Sequence, residues 1–592
     1  MRLRALLSAG LGGALLIPAS AVSATPSDHA SVRHVIVIAE AGRLGETVQR
    51  AAALGGEIER TLALVNGFSL TISDDRLDDL LATGMVRSAT PDVAMKAMAV
   101  DPVLGYDPAS TSSLAAVSQI TGASSMWSAG YTGKGVDVAV IDTGVTTVTG
   151  LNGAGKVVNG PDISFDSIEP TLVSRDAFGH GTHIAGIIAG NDVTATCSKC
   201  GTPASYLDPT KFVGIAPDAR IINVKVGAFD GAADVSQVIA GIDWVVQHRK
   251  DTGFNIRVIN LSFGTDSGQS LALDPLVHAA EMAWKSGVVV VAAAGNDGLL
   301  TTSLADPAMS PLVIAVGASD PRGTVDTTND TIPLWAQHGS AARAVDLVAP
   351  GVSMISLRVP GGFVDSNVTT GKVGTRFQQA SGTSQSTAVV SGLVALLLSK
   401  FPTATPDQVK SYLKANAQPL TLIAYSGKIA SAINNWYSGA GSASVRAAAT
   451  LASLPAAPSA TGGSSGSGTL EGSRGSYHVG GTVPLAGEKD IFGKAWVPST
   501  MSAATTSCTT WSLGIWNGAR WTGDKWTGGS WVNVTWTDND WTGARWSGAR
   551  WSSTVWDGAR WSGARWSGAR WSSGTWSGAR WSGARWSDYG WA

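Results

Sequence analysis

The sequence predicts an α/β protein with a doubly wound, mostly parallel sheet, preceded by a small α+β ferredoxin-like unit and followed by a Trp-rich repeat tail. Three observations lead to this fold class. From about residue 136, continuous Val, Ile and Ala runs alternate with helical patterns, as in strands covered on both faces. Between about 34 and 92, shorter apolar runs and amphipathic stretches follow the order βαββαβ. From residue 511, tryptophan recurs every five residues.

Length and charge limit the possible classes. At 592 residues the chain exceeds what one hydrophobic core usually serves, so several domains are expected. The 42 basic and 44 acidic residues give a formal charge of −2, and such a chain has no overall field that favours nucleic acid or an anionic membrane. We therefore expect no nucleic-acid partner.

The first residues have the pattern of a secretory signal peptide. Arg2 and Arg4 form a basic region, residues 5–17 are apolar, and a small-residue cleavage signal ends at Ala24. The apolar stretch is shorter than the ~20 residues of a membrane-spanning helix. We predict a signal peptide over 1–24, no transmembrane anchor, and a secreted protein that is extracellular or associated with the cell surface. An uncleaved anchor is the alternative.

Two folded regions and two low-complexity regions follow. The small α+β unit is placed at 30–100 and the α/β region at 115–440, where a last helix begins at Thr405-Pro406. Residues 441–475 are rich in Gly, Ser and Ala, which predicts a flexible linker without a core. The Trp pentapeptide-repeat tail is assigned to 476–592.

Three cysteines in this length do not form a disulfide scaffold. Cys197 and Cys200, in the run Cys-Ser-Lys-Cys, could close a small disulfide loop in an oxidising compartment. A zinc site is the alternative for this pair, but no second pair or nearby His completes four ligands. Cys508 is left over.

Three segments carry the residue types that peptide-bond hydrolysis needs: a nucleophile, a base and a carboxylate that orients the base. Asp142 ends the strand-like run VDVAVID, so its carboxylate is expected at the carboxyl edge of the sheet. His180 opens the apolar helix HGTHIAGIIAG between glycines, which allow close approach. Ser384 lies where a Gly-Thr turn enters a helix, and the helix dipole favours an anion there.

These segments resemble the three signature motifs of the subtilisin-like serine peptidase family. The motifs are IDTG at 141–144, HGTH at 180–183 and SGTS at 381–384, in the family's order of Asp, His and Ser. The resemblance implies a serine endopeptidase that acts on extended polypeptides through an acyl-enzyme intermediate, with Asp142, His180 and Ser384 as its triad. No cofactor is required for catalysis.

The resemblance also implies a precursor and an oxyanion site. The unit at 30–100 resembles the family's inhibitor pro-domain by pattern only, which implies assisted folding, inhibition of the enzyme by its own pro-domain, and self-cleavage within 95–103. The run VVVVAAAGNDG resembles the oxyanion segment, so Asn296 and the N–H of Ser384 are expected to bind the oxyanion.

The family resemblance places two segments beside the substrate, where they would pair with an extended peptide by strand addition. These segments are Ser262, Phe263 and Gly264, and Ala293, Ala294 and Gly295. Calcium is frequent in the family as a loop stabiliser, but no ligands can be assigned, so the metal content stays unknown. One departure from the family pattern is Gln385, directly after the nucleophile, which makes the rear wall of the site more polar and leaves substrate preference open.

Some of these residues have alternative roles. His183 lies one helical turn from His180 and could be the base instead. Asp176 could bind a metal or tune the base, although a turn-forming role is favoured. Asn296 taken alone could be a loop residue in the left-handed conformation. The family fold could also have lost its activity.

The Trp repeat fits neither a 3.6-residue helix nor a two-residue strand. A coil of short strands would give every Trp a comparable position, whereas so many Gly and Ser favour a mobile chain with transient Arg–Trp contacts. Because aromatic rows stack on sugar rings and Arg suits anionic polymers, we hypothesise attachment to the cell wall or another surface glycan. Inert low-complexity sequence is the alternative. The rival class is a surface binding protein whose protease domain serves only its own maturation.

Overall fold

The computed structural model describes residues 32–62, 66–91, 110–193, 205–368, 371–420, 436–459, 463–479, 485–521, 526–527 and 545–546. They fall into two compact units, one ending at Ala97 and one beginning at Met98. The predicted signal peptide, the predicted cleavage region at 95–103 and the pair Cys197 and Cys200 lie outside the described residues.

The N-terminal unit has the predicted βαββαβ order. Its elements are β1 (Val32–Ala39), α1 (Leu44–Ala53), β2 (Glu57–Leu62), β3 (Gly67–Ser73), α2 (Asp74–Leu81) and β4 (Val86–Pro91). The strands form one antiparallel sheet in the order β2-β3-β1-β4. Alternate residues of the central strands, such as Val35, Val37, Phe68 and Leu70, pack against the apolar faces of both helices. This unit therefore has a core of its own.

The second unit is built on a seven-stranded sheet in which every neighbouring pair is parallel. The strand order is β12-β11-β10-β8-β5-β7-β6. The strands are β5 (Asp137–Asp142), β6 (Val157–Asp162), β7 (Arg220–Lys225), β8 (Ile256–Leu261), β10 (Val289–Ala293), β11 (Ile314–Ser319) and β12 (Leu347–Pro350). Strands β7 and β6 lie on one side of β5, and β8, β10, β11 and β12 lie on the other. The strand order therefore reverses beside β5. Ligand sites of such sheets lie at the carboxyl edge near this point.

Helices cover the parallel sheet, as the apolar runs predict. They are α3 (Leu114–Ile120), α4 (Ala123–Ser128), α5 (His180–Ala189), α6 (Val235–His248), α7 (Pro275–Lys285), α8 (Phe363–Asn367), α9 (Thr383–Lys400) and α10 (Pro406–Ala415). Helix α6 packs against α7, and α5 packs against α9. Helix α9 is buried around its whole circumference through its first sixteen residues, because strands and α5 surround it. The predicted α/β fold is confirmed.

Shorter strands border the large sheet. β13 (Met354–Leu357), β14 (Lys372–Val373) and β15 (Phe377–Ala380) form an antiparallel sheet in the order β13-β15-β14. β9 (Phe263–Gly264) follows β8 directly and pairs antiparallel with β20 (Arg545–Trp546). A strand from the repeat region therefore lies beside the segment that leaves the central strand β8.

The flexible linker predicted for 441–475 is wrong for the residues described there. Ser464 and Ser473 are buried, and Leu470 belongs to the main core. The chain forms α11 (Leu470–Arg474), which packs against α6 and α7, and later α12 (Pro498–Thr506), which packs against α7. The reason is that the Ser464 N–H donates to the carboxylate of Glu281 in α7 and the Ser473 hydroxyl donates to that of Asp274, which precedes α7, so a segment poor in apolar residues is still held in place.

The first repeats form short strands in the structure. These strands are β16 (Trp511–Ser512), β17 (Ile515–Trp516), β18 (Ala519–Trp521) and β19 (Trp526–Thr527), which pair antiparallel in sequence order. Each of these strands contains a Trp, and turns at 513–514 and 517–518 join the first three strands. Trp511 and Trp516 are buried against the second unit.

Membrane spans and metal-binding clusters are both absent from the described residues. None of the helices there has the length and hydropathy needed to cross a membrane. The same residues contain no group of three or more His, Cys, Asp or Glu placed to hold a metal ion. Structural calcium therefore stays a prediction without assigned ligands. Cys508 is partly buried and is not in a disulfide with another described residue.

Candidate active site

Asp142 and His180 form a buried hydrogen-bonded pair. Asp142 is the last residue of β5 and His180 the first of α5. The Nδ1 atom of His180 lies 2.8 Å from Oδ1 and 3.0 Å from Oδ2 of Asp142. Oδ1 also accepts a hydrogen bond of 2.7 Å from the N–H of Thr143. A carboxylate at Nδ1 keeps the proton on that nitrogen, so Nε2 is the atom that can accept a proton.

Glycines allow the helix to approach the strand end this closely. Gly179 precedes α5 with a φ of 117°, in the left-handed region that favours glycine. A Cβ atom on Gly181 would collide with the carbonyl oxygen of Gly144, in the turn after Asp142. The glycines of the two motifs are therefore required by packing as well as by access.

Asp176 connects the turn after Asp142 to the start of α5 through hydrogen bonds. Its Oδ1 accepts hydrogen bonds from the Thr143 hydroxyl at 2.8 Å and the Gly179 N–H at 2.6 Å. Its Oδ2 accepts one from the Thr182 N–H at 2.7 Å. Burial raises the pKa of Asp176, and the charge of Asp142 acts in the same direction. The carboxylate thus links the turn after β5 to the first turn of α5, which matches the turn-forming role rather than metal binding.

Ser384 is the second residue of α9 and is fully buried. The helix begins after Gly382, so the Ser384 N–H lies in the first turn, at the positive end of the helix dipole. The Ser386 hydroxyl donates to the carbonyl of Ala349 at 2.9 Å, which ties this turn to the end of β12. The Ser384 N–H is therefore placed where a helix binds an anion.

Asn296 is tied to the same helix start. Its Oδ1 atom accepts a hydrogen bond of 2.9 Å from the N–H of Thr383. The Gly295 N–H donates to the Thr383 hydroxyl at 3.2 Å. Because Oδ1 is held at Thr383, the carboxamide has a fixed orientation, with its NH₂ group as the donor end. The structure brings Asn296 beside the residue that precedes Ser384.

The two segments that were predicted to border the substrate leave neighbouring parallel strands. Residues 262–264 follow β8, and residues 293–295 end β10 and continue from it. They therefore emerge at the same carboxyl edge as Asp142. β20 pairs antiparallel with β9, with Arg545 opposite Gly264 and Trp546 opposite Phe263. This edge can thus accept an extended chain by main-chain pairing.

A small pocket, with a cavity volume of about 40 Å³, lies between these two segments. Gly264, Gly295 and Asn296 border it on the sheet side, and Ala305 and Tyr477 also line it. Gly295 has a positive φ of 109°, which favours glycine, and a Cβ atom there would overlap the end of the Gln337 side chain. The pocket lies next to the predicted oxyanion donor, where a substrate side chain would be received.

His183 is in a different environment from His180. Its Nε2 lies 3.1 Å from the carbonyl oxygen of Gln378, and the side chain is fully buried. Burial lowers the pKa of His183 to about 3, and the charge of His180 acts in the same direction. A ring with this pKa stays neutral at physiological pH, and its contact with a backbone carbonyl fits a structural histidine.

Sequence reasoning missed three residues at this site. Thr383 lies within the predicted SGTS motif, so the motif itself gave a signal for it. Gln337 holds the Gly295 turn by accepting a hydrogen bond of 3.2 Å from the Asp297 N–H and donating one of 3.0 Å to the carbonyl of Ser303. Tyr477 comes from beyond the predicted domain, and no local pattern marks it.

Comparisons with known proteins show the family to which the chain is similar. Residues 133–445 match the profile of the Subtilase family. The chain is 35% identical over 289 residues to Serine protease AprX of Bacillus subtilis (strain 168), covering 48% of this chain but only 61% of AprX. It is 33% identical over 377 residues to Subtilisin E of the same strain, covering 63% of this chain and 81% of that protein.

One solved structure is also similar, the "Crystal structure of a cold adapted subtilisin-like serine proteinase". It is 31% identical, with 48% of this chain and 84% of that chain covered and a TM-score of 0.36. The profile match at 133–445 contains Asp142, His180, Asn296 and Ser384.

Proposed function

The chain belongs to the subtilase family of serine peptidases, and we propose that it cleaves polypeptides with Ser384 as nucleophile, His180 as general base and Asp142 as the carboxylate that orients the base. The observation that carries this proposal is the buried hydrogen bond of 2.8 Å between Asp142 and His180. That bond leaves Nε2 of His180 as the proton acceptor, and α5, which begins with His180, packs against α9, which carries Ser384.

The proposed reaction follows from these roles. The Ser384 Oγ attacks the carbonyl carbon of the substrate while its proton passes to Nε2 of His180. The imidazolium, stabilised by Asp142, then gives this proton to the leaving amine as the C–N bond breaks. Water attacks the remaining ester by the same route in reverse and releases the acid. The tetrahedral oxyanion formed in each half is bound by the Ser384 N–H and the Asn296 amide.

The substrate would bind as an extended strand between residues 262–264 and 293–295. Support comes from the antiparallel pairing of β20 with β9, because it places an extended segment of chain on this edge. Main-chain pairing of this kind is open to any sequence that can unfold locally. We therefore propose unfolded or loop segments of proteins as the substrate class.

We further propose that the protein is made as a secreted precursor. The basic and apolar start of the sequence supports a signal peptide over 1–24. The N-terminal unit has its own core and sheet, which supports a separately folding pro-domain. In this proposal the unit assists folding, inhibits the enzyme and is released by self-cleavage within 95–103.

The repeat tail is proposed to attach the enzyme to a surface glycan. Seventeen tryptophans and an excess of basic residues from 511 onward support contact with sugar rings and anionic polymers. Because residues 463–479 and 485–521 belong to the second unit, the test uses the full chain carrying Ser384→Ala rather than an isolated tail. Retention on cell-wall material at moderate salt supports the proposal, and its absence would reject it.

Labelling with a fluorophosphonate probe and cleavage of casein in trans test the enzymatic proposal. The wild-type protein is expected to be labelled and to cleave casein, whereas Ser384→Ala and His180→Ala are expected to lose both. Self-processing without casein cleavage would favour the surface binding protein instead. Labelling that persists in Ser384→Ala would assign the nucleophile elsewhere.

A further inference from the structure

The segment 463–479, here called the wall segment, is fixed to helix α7. The Ser464 N–H donates to Oε2 of Glu281 at 2.7 Å, and the Ser464 carbonyl lies 2.7 Å from Nδ1 of His278. A Cβ atom on Gly466 would collide with the His278 ring, and Gly466 has a positive φ of 65°. Polar groups of α7 that water would otherwise solvate are thus satisfied by the wall segment.

The wall segment continues along the loop that follows the substrate-bordering strand β9. The Thr265 hydroxyl donates to the carbonyl of Ser473 at 2.7 Å, and the Ser267 hydroxyl donates to that of Gly472 at 2.9 Å. Both oxygens of Asp266 accept bonds from Ser476, one from its N–H at 2.7 Å and one from its hydroxyl at 2.5 Å. Three consecutive residues after β9 are therefore held by the wall segment.

These contacts place Tyr477 in the pocket beside Asn296. Tyr477 is 3% exposed and lines this pocket together with Leu304 and Ala305. The segment cannot swing away freely, because Arg474 is fully buried and bonds to Asp234 at 2.7 Å. Tyr477 thus forms part of a pocket whose other residues all come from 264–337.

We propose that Tyr477 is a specificity-determining residue, whose ring forms a wall of the pocket that receives the substrate side chain on the acyl side of the cleaved bond. This inference rests on the proposed peptidase function. It means that a segment outside the profile match at 133–445 shapes substrate choice.

The lining favours an apolar substrate side chain. Leu304, Ala305 and the Tyr477 ring supply apolar surface. Two polar residues of the lining are already used, since Asp266 is bonded to Ser476 and both ends of the Gln337 carboxamide are bonded to backbone groups. A buried apolar group gains transfer free energy there, whereas a polar one would lose hydrogen bonds to water.

Peptide substrates that differ only in this side chain test the inference. The kcat/KM values are measured for peptides that carry Ala, Leu, Phe or Lys on the acyl side of the cleaved bond. The enzymes compared are the full-length wild type, Tyr477→Ala, Tyr477→Leu and Tyr477→Phe. Removal of the ring enlarges the pocket. Tyr477→Ala is therefore expected to raise the ratio of kcat/KM for the Phe peptide to kcat/KM for the Ala peptide by about tenfold or more. A few methylene groups typically have an effect of this size in such pockets. The ratio for Tyr477→Leu should lie between those of Tyr477→Ala and the wild type, and the ratio for Tyr477→Phe should match that of the wild type.

Ile491→Ala is the matched control. Ile491 is a buried apolar residue of the same C-terminal region that does not line the pocket. Its variant should keep the wild-type ratio even where overall activity falls. Equal shifts in Ile491→Ala and Tyr477→Ala would overturn the inference, as would an unchanged ratio in Tyr477→Ala or a wild-type preference for Lys.

Fluorophosphonate labelling separates the two levels of failure. A wild-type protein that neither labels nor cleaves any peptide refutes the proposed function. An active wild type with the same ratios in every variant refutes only the role of Tyr477. If neither Tyr477→Ala nor Tyr477→Leu labels, Tyr477 is required for folding and the inference is likewise overturned.

Discussion

The side chain of Asn296 is oriented by the residue next to the proposed nucleophile, since its Oδ1 accepts a 2.9 Å hydrogen bond from the N–H of Thr383. The carboxamide is planar, so fixing its oxygen also fixes its NH₂ group. Asn296 follows β10 and Thr383 begins α9, two elements that pack against each other. The donor is therefore preorganised by the fold, which is the condition under which hydrogen bonds lower a barrier most.

Asn296→Ala is expected to lower kcat by about 10²–10³ with little change in KM, because the lost hydrogen bond strengthens only in the transition state. Steady-state kinetics on a peptide substrate measure both constants. Asn255→Ala is the control, since Asn255 precedes β8 at the amino edge of the sheet and bonds the carbonyl of Gly135. A loss below about fivefold in Asn296→Ala would remove this residue from the oxyanion site.

Asp176→Asn is expected to lower kcat/KM by up to about 100-fold, the scale of a small misplacement of catalytic groups. All three partners of the Asp176 carboxylate are donors, so an NH₂ group in place of one oxygen would face a donor. The turn after Asp142 and the start of α5 should then separate. The pH profile of kcat/KM is the second readout, because a displaced Asp142 would disturb its hydrogen bond to His180.

If Asp176 had a purely structural role, Asp176→Asn would lower the amount of folded enzyme without changing the pH profile of kcat/KM. Asp192→Asn is the comparison variant, since Asp192 is a carboxylate paired with Arg376 at 2.7 Å and only partly buried. If Asp176→Asn has the wild-type kcat/KM per fluorophosphonate-labelled site, the hydrogen bonds of the Asp176 carboxylate are not required for activity.

Arg474→Ala is expected to destabilise the protein by about 3–5 kcal/mol, because it leaves the charge of Asp234 buried without its partner. The guanidinium is fully buried, bonds Asp234 at 2.7 Å and also donates to the carbonyl of Gly487 at 2.7 Å. Chemical denaturation of the Ser384→Ala background, which prevents self-digestion, measures the free energy of unfolding. Arg43→Ala removes an exposed pair with Glu46 and should cost less than about 1 kcal/mol. Similar losses in both variants would mean that the C-terminal region is not anchored through Arg474.

The fold and the reacting residues could be predicted because their signals are local. Buried parallel strands appear as continuous Val and Ile runs, and Asp142, His180 and Ser384 each lie in a short motif with glycines. The wall segment could not be predicted, because its composition is that of a linker. Its attachment depends on contacts such as Ser464 with Glu281, 183 positions apart, which no periodicity reveals. Tyr477 reaches the pocket only through these contacts.

Asp243 gives a prediction for the pH dependence of stability. It lies on α6, is 4% exposed, and faces Thr505, Thr510 and Trp516 of the C-terminal region. Burial raises the pKa of Asp243 to about 7 from its usual 3.8. The folded protein thus holds the proton more tightly than the unfolded chain, so the stabilisation is fully present below pH 3.8 and is lost as pH rises towards 7.

Asp243→Asn cannot titrate, and its amide resembles the protonated acid. The difference in Tm between Asp243→Asn and the wild type, both in the Ser384→Ala background, is therefore expected to rise between about pH 4 and 8, since each pKa unit corresponds to about 1.4 kcal/mol. Differential scanning fluorimetry across this range measures it. Asp251→Asn changes an exposed residue and should give a constant difference. A constant difference for Asp243→Asn as well would mean that this carboxyl is already ionised in the folded protein, with water or a cation offsetting its burial.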